Sequence, residues 1–298
     1  MSHNVLIITK PTKFELCGEQ TINFVMKGFL SQEYLQSLES AHKQHYHLLK
    51  VLKDTLEFHS IPFTLISRDD NPPDNQNFDA VFTVGGDGTL LSAARRMDGK
   101  IPLIGIRSSD MSLGYLCAGG EREIETIIQR LLQGLLEIKT CSRLRAVIVK
   151  ADTEHEFLSE NALNDMLFAN HHPAATSRYL LSFNGRQETH RSSGIWISTA
   201  TGSTGGITAA GGSQMERTST HFQFFARELA LLTNIEHMLM KGQFDPDVDQ
   251  FSIVNLSESS VLALDGTRHT YHLKMGDKIS FIRGATIPVA LPININQK

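Results

Sequence analysis

Apolar runs alternate with helical apolar spacing over the first 140 residues. Short apolar runs occur in "VLIIT", "IPFTLIS", "FDAVFTV" and "KIPLIGI". Apolar residues recur at spacings of three and four over residues 31–59, and again over residues 121–136, which is typical of amphipathic helices. Strands that alternate with helices pair in parallel, so this pattern predicts an α/β fold with a doubly wound sheet.

A different pattern begins near residue 140. Short alternating runs such as "LRAVIVK", "RYLLSFNG", "GIWISTATG" and "YHLKMGDKISFIRG" follow one another with turns between them. Many short strands in succession are typical of antiparallel sheets. We therefore predict a second, all-β domain and place the boundary near residue 140.

Composition narrows the class of partner. The chain has 298 residues, a formal net charge of -4 and 41% hydrophobic residues. This balance gives no electrostatic reason to expect nucleic acid or a membrane as partner. No apolar run approaches the roughly 20 residues that span a bilayer, and the three scattered cysteines fit a reduced compartment. We expect a cytoplasmic protein.

The stretch "FDAVFTVGGDGTLLSAARR" ends an apolar run in bare backbone. Gly85, Gly86 and Gly88 permit a tight turn and let an anion approach backbone N–H groups, and Thr89 adds a hydroxyl. A helix that follows contributes the positive end of its dipole. The junction is suited to holding a phosphate, although it has neither the P-loop nor the Gly-x-Gly-x-x-Gly pattern.

Asp87 lies in the middle of this turn. A carboxylate beside a polyphosphate is unfavourable unless it accepts a proton or orients a cation or ribose. The alternative is a turn residue or helix cap.

Two further segments are unusual for their surroundings. Thr201, Gly202, Ser203 and Thr204 form a hydroxyl-rich and glycine-rich loop after the strand-like "GIWIS", where the alternative is a flexible linker. Asn164 and Asp165 interrupt an apolar β-like run, which β-propensity disfavours. The pair either marks a turn or supplies acceptors to a ligand with hydroxyl groups, such as a ribose.

In order along the chain, "GGDGT", "ALNDMLFA", "STATGSTGGITAAGG" and "ALDG" resemble the signature segments of the NAD kinase family. "PAATSRY", "RSSG" and "GYLCA" are most similar to its plant NADH kinase and mitochondrial-type branch. The resemblance extends from residue 78 to the end of the chain.

This resemblance implies phosphorylation of the 2′-hydroxyl of the adenosine ribose of NAD or NADH, with ATP-Mg²⁺ or polyphosphate as donor. It implies that Asp87 is the general base. It also implies that phosphates or the nucleotide are bound by Gly85, Gly86, Gly88, Thr89, Asn164, Asp165, Thr201, Gly202, Ser203, Thr204 and Asp265. For Asp265, a β-turn role is an equal alternative. No dedicated protein metal site is expected.

The family's architecture adds domain limits and an oligomer. A Rossmann-like α/β domain is expected over residues 1–140, joined by residues 280–298, with a β-sandwich-like NAD(H)-binding domain over residues 141–279. The family also implies a homodimer or homotetramer.

Two other functions remain open at this point. A lipid or sugar kinase could share the glycine-aspartate turn. A dinucleotide sensor without activity is the second alternative, because Ser193-Gly194 and Gly205-Gly206 replace the Asp and Tyr that most bacterial-type members carry.

Overall fold

The computed structural model describes residues 4–71, 73, 78–112, 114–230 and 237–293. The chain forms two compact units, one of Met1–Lys139 with Pro288–Lys298 and one of Thr140–Ile287. The last five residues of the predicted final segment, 294–298, lie outside the described residues. Within the described ranges, no helix is long and apolar enough to cross a bilayer.

Unit 1 is built on a parallel sheet. Its strands are β1 (Val5–Thr9), β2 (Phe63–Ser67), β3 (Ala80–Gly85) and β4 (Leu103–Arg107). They lie in the order β2-β1-β3-β4, and every neighbouring pair is parallel. All of β3 is buried, as its largely apolar sequence predicts for a strand covered on both faces.

The helices of unit 1 are α1 (Lys13–Met26), α2 (Gln32–Phe58), α3 (Asp87–Arg96) and α4 (Ile124–Leu132). Leucines of the predicted stripe on α2 pack in the core with β1 and β3. A 3-10 turn at Glu121–Glu123 precedes α4. The helix ends earlier than the apolar pattern predicts, because Gly134 adopts a left-handed φ of 67° just beyond it.

Helix α1 is absent from our sequence prediction. Its apolar residues form no clean stripe, and only Gly18 and Thr21 are buried. The N-terminus nevertheless carries a capping box, since Thr12 Oγ1 accepts the Glu15 N–H and the Glu15 carboxylate accepts the Thr12 N–H.

Unit 2 is predominantly antiparallel β-structure. Its strands are β5 (Ile138–Val149), β6 (Glu156–Leu158), β7 (Asp165–Asn170), β8 (Ser177–Phe183), β9 (Arg186–Ser192), β10 (Ile195–Ser198), β11 (Phe222–Ala226), β12 (Lys241–Phe244), β13 (Phe251–Asn255), β14 (Ser259–Leu264), β15 (Thr270–Lys274) and β16 (Lys278–Ala290). A 3-10 turn at Thr201–Thr204 and the short helix α5 (Gly206–Ala210) follow β10.

These strands form two hydrogen-bonded groups that share one core. One group runs β16-β13-β8-β9, with β5 beside β16 and β6 beside β5, and the other runs β12-β11-β10-β7-β14-β15. Buried side chains from both groups, such as Phe224, Phe251 and Leu262, belong to the same cluster. The predicted class, an α/β region followed by a sheet-rich region, is confirmed.

Strand β16 contributes to both units. Lys278, Ile279 and Ser280 pair antiparallel with β13 in unit 2. Val289, near the other end of the strand, pairs parallel with Leu103 of β4 in unit 1.

Candidate functional site

The glycine-aspartate turn of unit 1 joins β3 directly to α3. A Cβ on Gly85 would lie 2.2 Å from Thr89 Oγ1, so only glycine fits there without a shift. Helix α3 begins at Asp87, and no side chain of the described ranges caps it. Among the residues that the structure describes, no hydrogen bond reaches the buried Thr89 Oγ1. An uncapped helix N-terminus beside an unused hydroxyl can accept an anion.

The Asp87 carboxylate is held by the loop that follows β4. Its Oδ1 accepts the Leu116 N–H at 2.9 Å and its Oδ2 accepts the Tyr115 N–H at 3.1 Å. Each carboxylate oxygen can accept a further hydrogen bond. Asp87 therefore fixes residues 115–116 and keeps capacity to receive a proton.

Basic side chains gather at the carboxyl ends of the same parallel strands, where ligands bind in such sheets. A cavity of about 170 Å³ is lined by Lys10, Lys13, His42, His45 and three serines of the loop after β4. Burial lowers the pKa of His45 to about 4, so this ring is neutral near pH 7.

A second cavity, of about 450 Å³, lies along the loop after β4. Arg107 and Arg122 line it, together with Ser108, Ser109 and the acidic residues Asp110, Glu121 and Glu123. The two guanidinium groups suit phosphate, but the three carboxylates outnumber them, so the lining carries no net positive charge.

In unit 2, Asp265 organises the turn that carries the Asn-Asp pair. Its carboxylate accepts the N–H groups of Leu163, Asn164 and Asp165 at 2.8–3.1 Å. Asp265 adopts a left-handed φ of 48°. The turn role and a role in holding the candidate site therefore coincide in one residue.

Asn164 and Asp165 present largely buried polar atoms. Burial, reinforced by the nearby Asp265, raises the pKa of Asp165 to about 7. Asn164 Oδ1 is buried and makes no hydrogen bond among the described residues. Buried polar groups are normally satisfied, so these two side chains are candidates for ligand contact.

The glycine-rich and hydroxyl-rich segment packs against this turn. A Cβ on Gly202 would lie 2.1 Å from the Asn164 carbonyl oxygen. Thr199, which our sequence prediction omits, donates from Oγ1 to the Leu163 carbonyl and accepts the Gly202 N–H. Ser203 Oγ donates to the Ala200 carbonyl and accepts the Met215 N–H, so its polar groups serve the fold.

The structure thus gathers the predicted residues into two sets. Gly85, Gly86, Asp87, Gly88 and Thr89 lie at the β3–α3 junction of unit 1, and Asn164, Asp165, Gly202 and Asp265 lie together in unit 2. Thr201 and Thr204 lie with Gly202 on the 3-10 turn that follows β10, where Thr201 is buried and Thr204 is exposed. Lys10 is a further candidate, and its place directly after β1 is the signal that could have identified it.

The family model and the relative that match this chain are both described as kinases of NAD or NADH. Residues 3–136 match the family model described as the ATP-NAD kinase N-terminal domain. The NADH kinase of Arabidopsis thaliana is 31% identical over 279 residues, which cover 86% of each chain.

Two solved structures share the fold. An NAD kinase from Archaeoglobus fulgidus, solved in complex with ATP, has a TM-score of 0.68 at 15% identity and covers 96% of this chain and 93% of its own. Yeast NADH kinase, solved with NADH, has a TM-score of 0.69 at 19% identity and covers 98% of this chain and 84% of its own.

Proposed function

Because the chain belongs to the NAD kinase family, we propose that it transfers the terminal phosphoryl group of ATP to the 2′-hydroxyl of the adenosine ribose of NAD or NADH. The products are NADP(H) and ADP. The observation that carries the proposal is the uncapped Gly-Gly-Asp-Gly-Thr junction, with a carboxylate held in place beside an anion-binding helix N-terminus.

Asp87 acts in this proposal as the general base. The ribose 2′-oxygen forms a bond to the γ-phosphorus as the bond from that phosphorus to the β,γ-bridging oxygen breaks. The hydroxyl proton passes to the Asp87 carboxylate, and the electron pair of the broken bond stays on ADP. The two backbone N–H groups that hold the carboxylate fix its direction.

The donor phosphates are bound, in this proposal, by backbone and basic groups of unit 1. Gly85, Gly86 and Gly88 supply bare backbone, the unused Thr89 hydroxyl supplies one further donor, and Lys10 supplies charge. Mg²⁺ enters with ATP and neutralises charge on the phosphates. Inorganic polyphosphate is the alternative donor, since a phosphate cradle does not distinguish the two.

The nucleotide acceptor is bound by unit 2. We assign Asn164 and Asp165 to ribose hydroxyls or base, because Asn164 Oδ1 is buried without a hydrogen bond among the described residues and Asp165 lies buried beside it. Thr201, Gly202, Ser203 and Thr204 line this site, and Asp265 positions it. In this proposal, residues 1–140 and the segment from about 280 form the domain that binds the phosphate donor. Residues 141–279 form the NAD(H)-binding domain. A homodimer or homotetramer in the cytoplasm completes the proposal.

The test is a direct assay. Purified protein is incubated with Mg-ATP and either NAD or NADH, and NADP(H) is measured for the wild type and for Asp87→Asn. We expect product from the wild type and a loss of about 10²- to 10⁴-fold in the variant, which is the usual contribution of a general base.

The control separates chemistry from folding, because Asp87 also fixes residues 115–116. Asp98→Asn changes an exposed aspartate just beyond the same helix, and the Tm and NAD affinity of both variants are recorded. Activity that survives in Asp87→Asn would remove the general-base role. NAD(H) binding without product, from ATP or polyphosphate, would favour the sensor, and product only with lipid or sugar acceptors would favour the other kinases.

A further inference from the structure

Three side chains of unit 2 that the proposed reaction does not use meet in the interior. They are Glu188 and His190 of β9 and His237, and one ligand atom of each lies within 4.8 Å of the others. Glu188 and His190 are two residues apart on a strand, so they share a face. The His190 and His237 side chains are 0% and 3% exposed.

One arrangement of the hydrogen bonds around His190 places the proton of the neutral ring on Nδ1. Ser192 Oγ donates its single hydrogen to the Gly194 carbonyl at 3.0 Å. In this arrangement the Tyr179 hydroxyl donates to Ser192 Oγ, also at 3.0 Å. Its oxygen is then left to accept from His190 Nδ1–H at 3.3 Å.

This assignment leaves the lone pair of His190 Nε2 facing an acceptor. Glu188 Oε2 lies 3.3 Å from that nitrogen, and two lone pairs at this distance repel each other unless a cation lies between them. A neutral imidazole with its other nitrogen hydrogen-bonded is the form that binds a metal.

His237 adds a second nitrogen to the same point. Its Nδ1 lies 3.7 Å from Glu188 Oε2 and makes no hydrogen bond among the described residues. In a tetrahedral site with bonds of about 2.0–2.1 Å, ligand atoms lie about 3.3 Å apart. The two distances to the carboxylate oxygen are close to that value.

The carboxylate itself is oriented by backbone. Glu188 accepts the N–H groups of Met238 and Leu239 at 3.0–3.2 Å. Such outer hydrogen bonds fix the direction of a ligating group. The same bonds tie the residues after His237 to β9.

We propose that Glu188, His190 and His237 bind one Zn²⁺ ion, with water as the fourth ligand. Two imidazoles and one carboxylate form a ligand set that Zn²⁺ takes. The ion joins His237 to β9. This inference does not depend on the kinase proposal.

The experiment uses full-length, tag-free protein treated with a chelator and then titrated with Co²⁺ and with Zn²⁺. We expect the visible absorption of tetrahedral Co²⁺ to saturate at one ion per chain and to disappear when Zn²⁺ displaces it. Zn²⁺ should also raise the Tm of the wild type, since an ion bound only by the folded state stabilises it.

Variants locate the ion. His237→Gln and Glu188→Gln should each weaken Co²⁺ affinity by more than about tenfold, whereas His155→Ala, an exposed histidine of the same unit, should not. Circular dichroism identifies any variant that fails to fold, and the near-isosteric His237→Gln guards against that outcome. Absence of Co²⁺ absorption in the wild type, or equal affinity in a folded His237→Gln, would overturn the proposal.

Discussion

Asp165 and Asp265 are neighbouring carboxylates of unit 2 in different environments. Asp265 accepts three backbone N–H groups, which stabilise its charge. Asp165 is 7% exposed and lies close enough to Asp265 for the two charges to repel. Burial, together with the nearby Asp265, therefore raises the pKa of Asp165 to about 7.

This difference makes stability depend on pH. In the unfolded chain Asp165 ionises near pH 4, whereas in the folded chain it ionises near pH 7. A raised folded pKa gives stability that is complete below pH 4 and is lost as pH rises to about 7. We expect Asp165→Asn to escape this loss, so its Tm should gain a few degrees on the wild type between pH 5 and pH 8.

The same substitution should weaken NAD binding if Asp165 contacts the acceptor. Thermal melts at pH 5, 6, 7 and 8 and NAD titrations by calorimetry measure the two effects. A difference in Tm that stays constant over this range would contradict the assigned pKa.

At the scale of elements, the β3–α3 junction contains glycines with unequal constraints. A Cβ on Gly85 would overlap Thr89, whereas a Cβ on Gly88 would meet no atom of the described residues within 4 Å. Gly85 is therefore required by packing, and Gly88 is free of that requirement.

The matched variants Gly85→Ala and Gly88→Ala exploit this contrast. Gly85→Ala should cost about 1–3 kcal/mol of stability through overpacking. Gly88→Ala should leave stability unchanged or slightly raised, since alanine favours helix. If Gly88 backbone approaches a donor phosphate, its variant should still raise the KM for ATP at least severalfold. Urea unfolding and steady-state kinetics compare the two, and equal loss of stability would contradict the packing argument.

Sequence predicts the elements that have a clear period. The leucine stripe of α2 predicts a helix over residues 31–59, and the structure ends it with caps at Ser31 and His59. Helix α1 escapes prediction because it buries too little to show a stripe, although its Thr12–Glu15 capping box is visible in the sequence.

Contacts between distant residues escape it too. Asp87 accepts hydrogen bonds from residues that lie 28 and 29 positions further along the chain. Asp265 accepts hydrogen bonds from residues about 100 positions before it. No local pattern encodes such pairs, so their anchoring roles are visible only in the fold. The roles of both residues in catalysis and binding stay predictions.

At the scale of the whole molecule, two spectroscopic signals report different units. Helices α1 to α4 lie in unit 1, and the single tryptophan, Trp196, lies on β10 of unit 2. Ellipticity at 222 nm therefore follows mainly unit 1, and tryptophan fluorescence follows unit 2.

We expect the two signals to change at the same urea concentration, because β16 supplies hydrogen-bonded residues to both units. Val289→Ala, a buried change at the unit 1 end, should cost about 1–2 kcal/mol. It should move both transitions equally, as should Ile279→Val at the other end. Separate midpoints in the wild type, or a shift in one signal only, would show that the strand does not couple the units.

The path of β16 also has a consequence for synthesis on the ribosome. Strands β1 to β4 of unit 1 leave the ribosome first. Val289, which pairs with β4, leaves it only after all of unit 2. At about 5–20 residues per second, the roughly 150 intervening residues take about 7–30 s. During that interval Val289 does not yet pair with β4 of the newly made α/β half. We expect chaperones to bind this half during the same period.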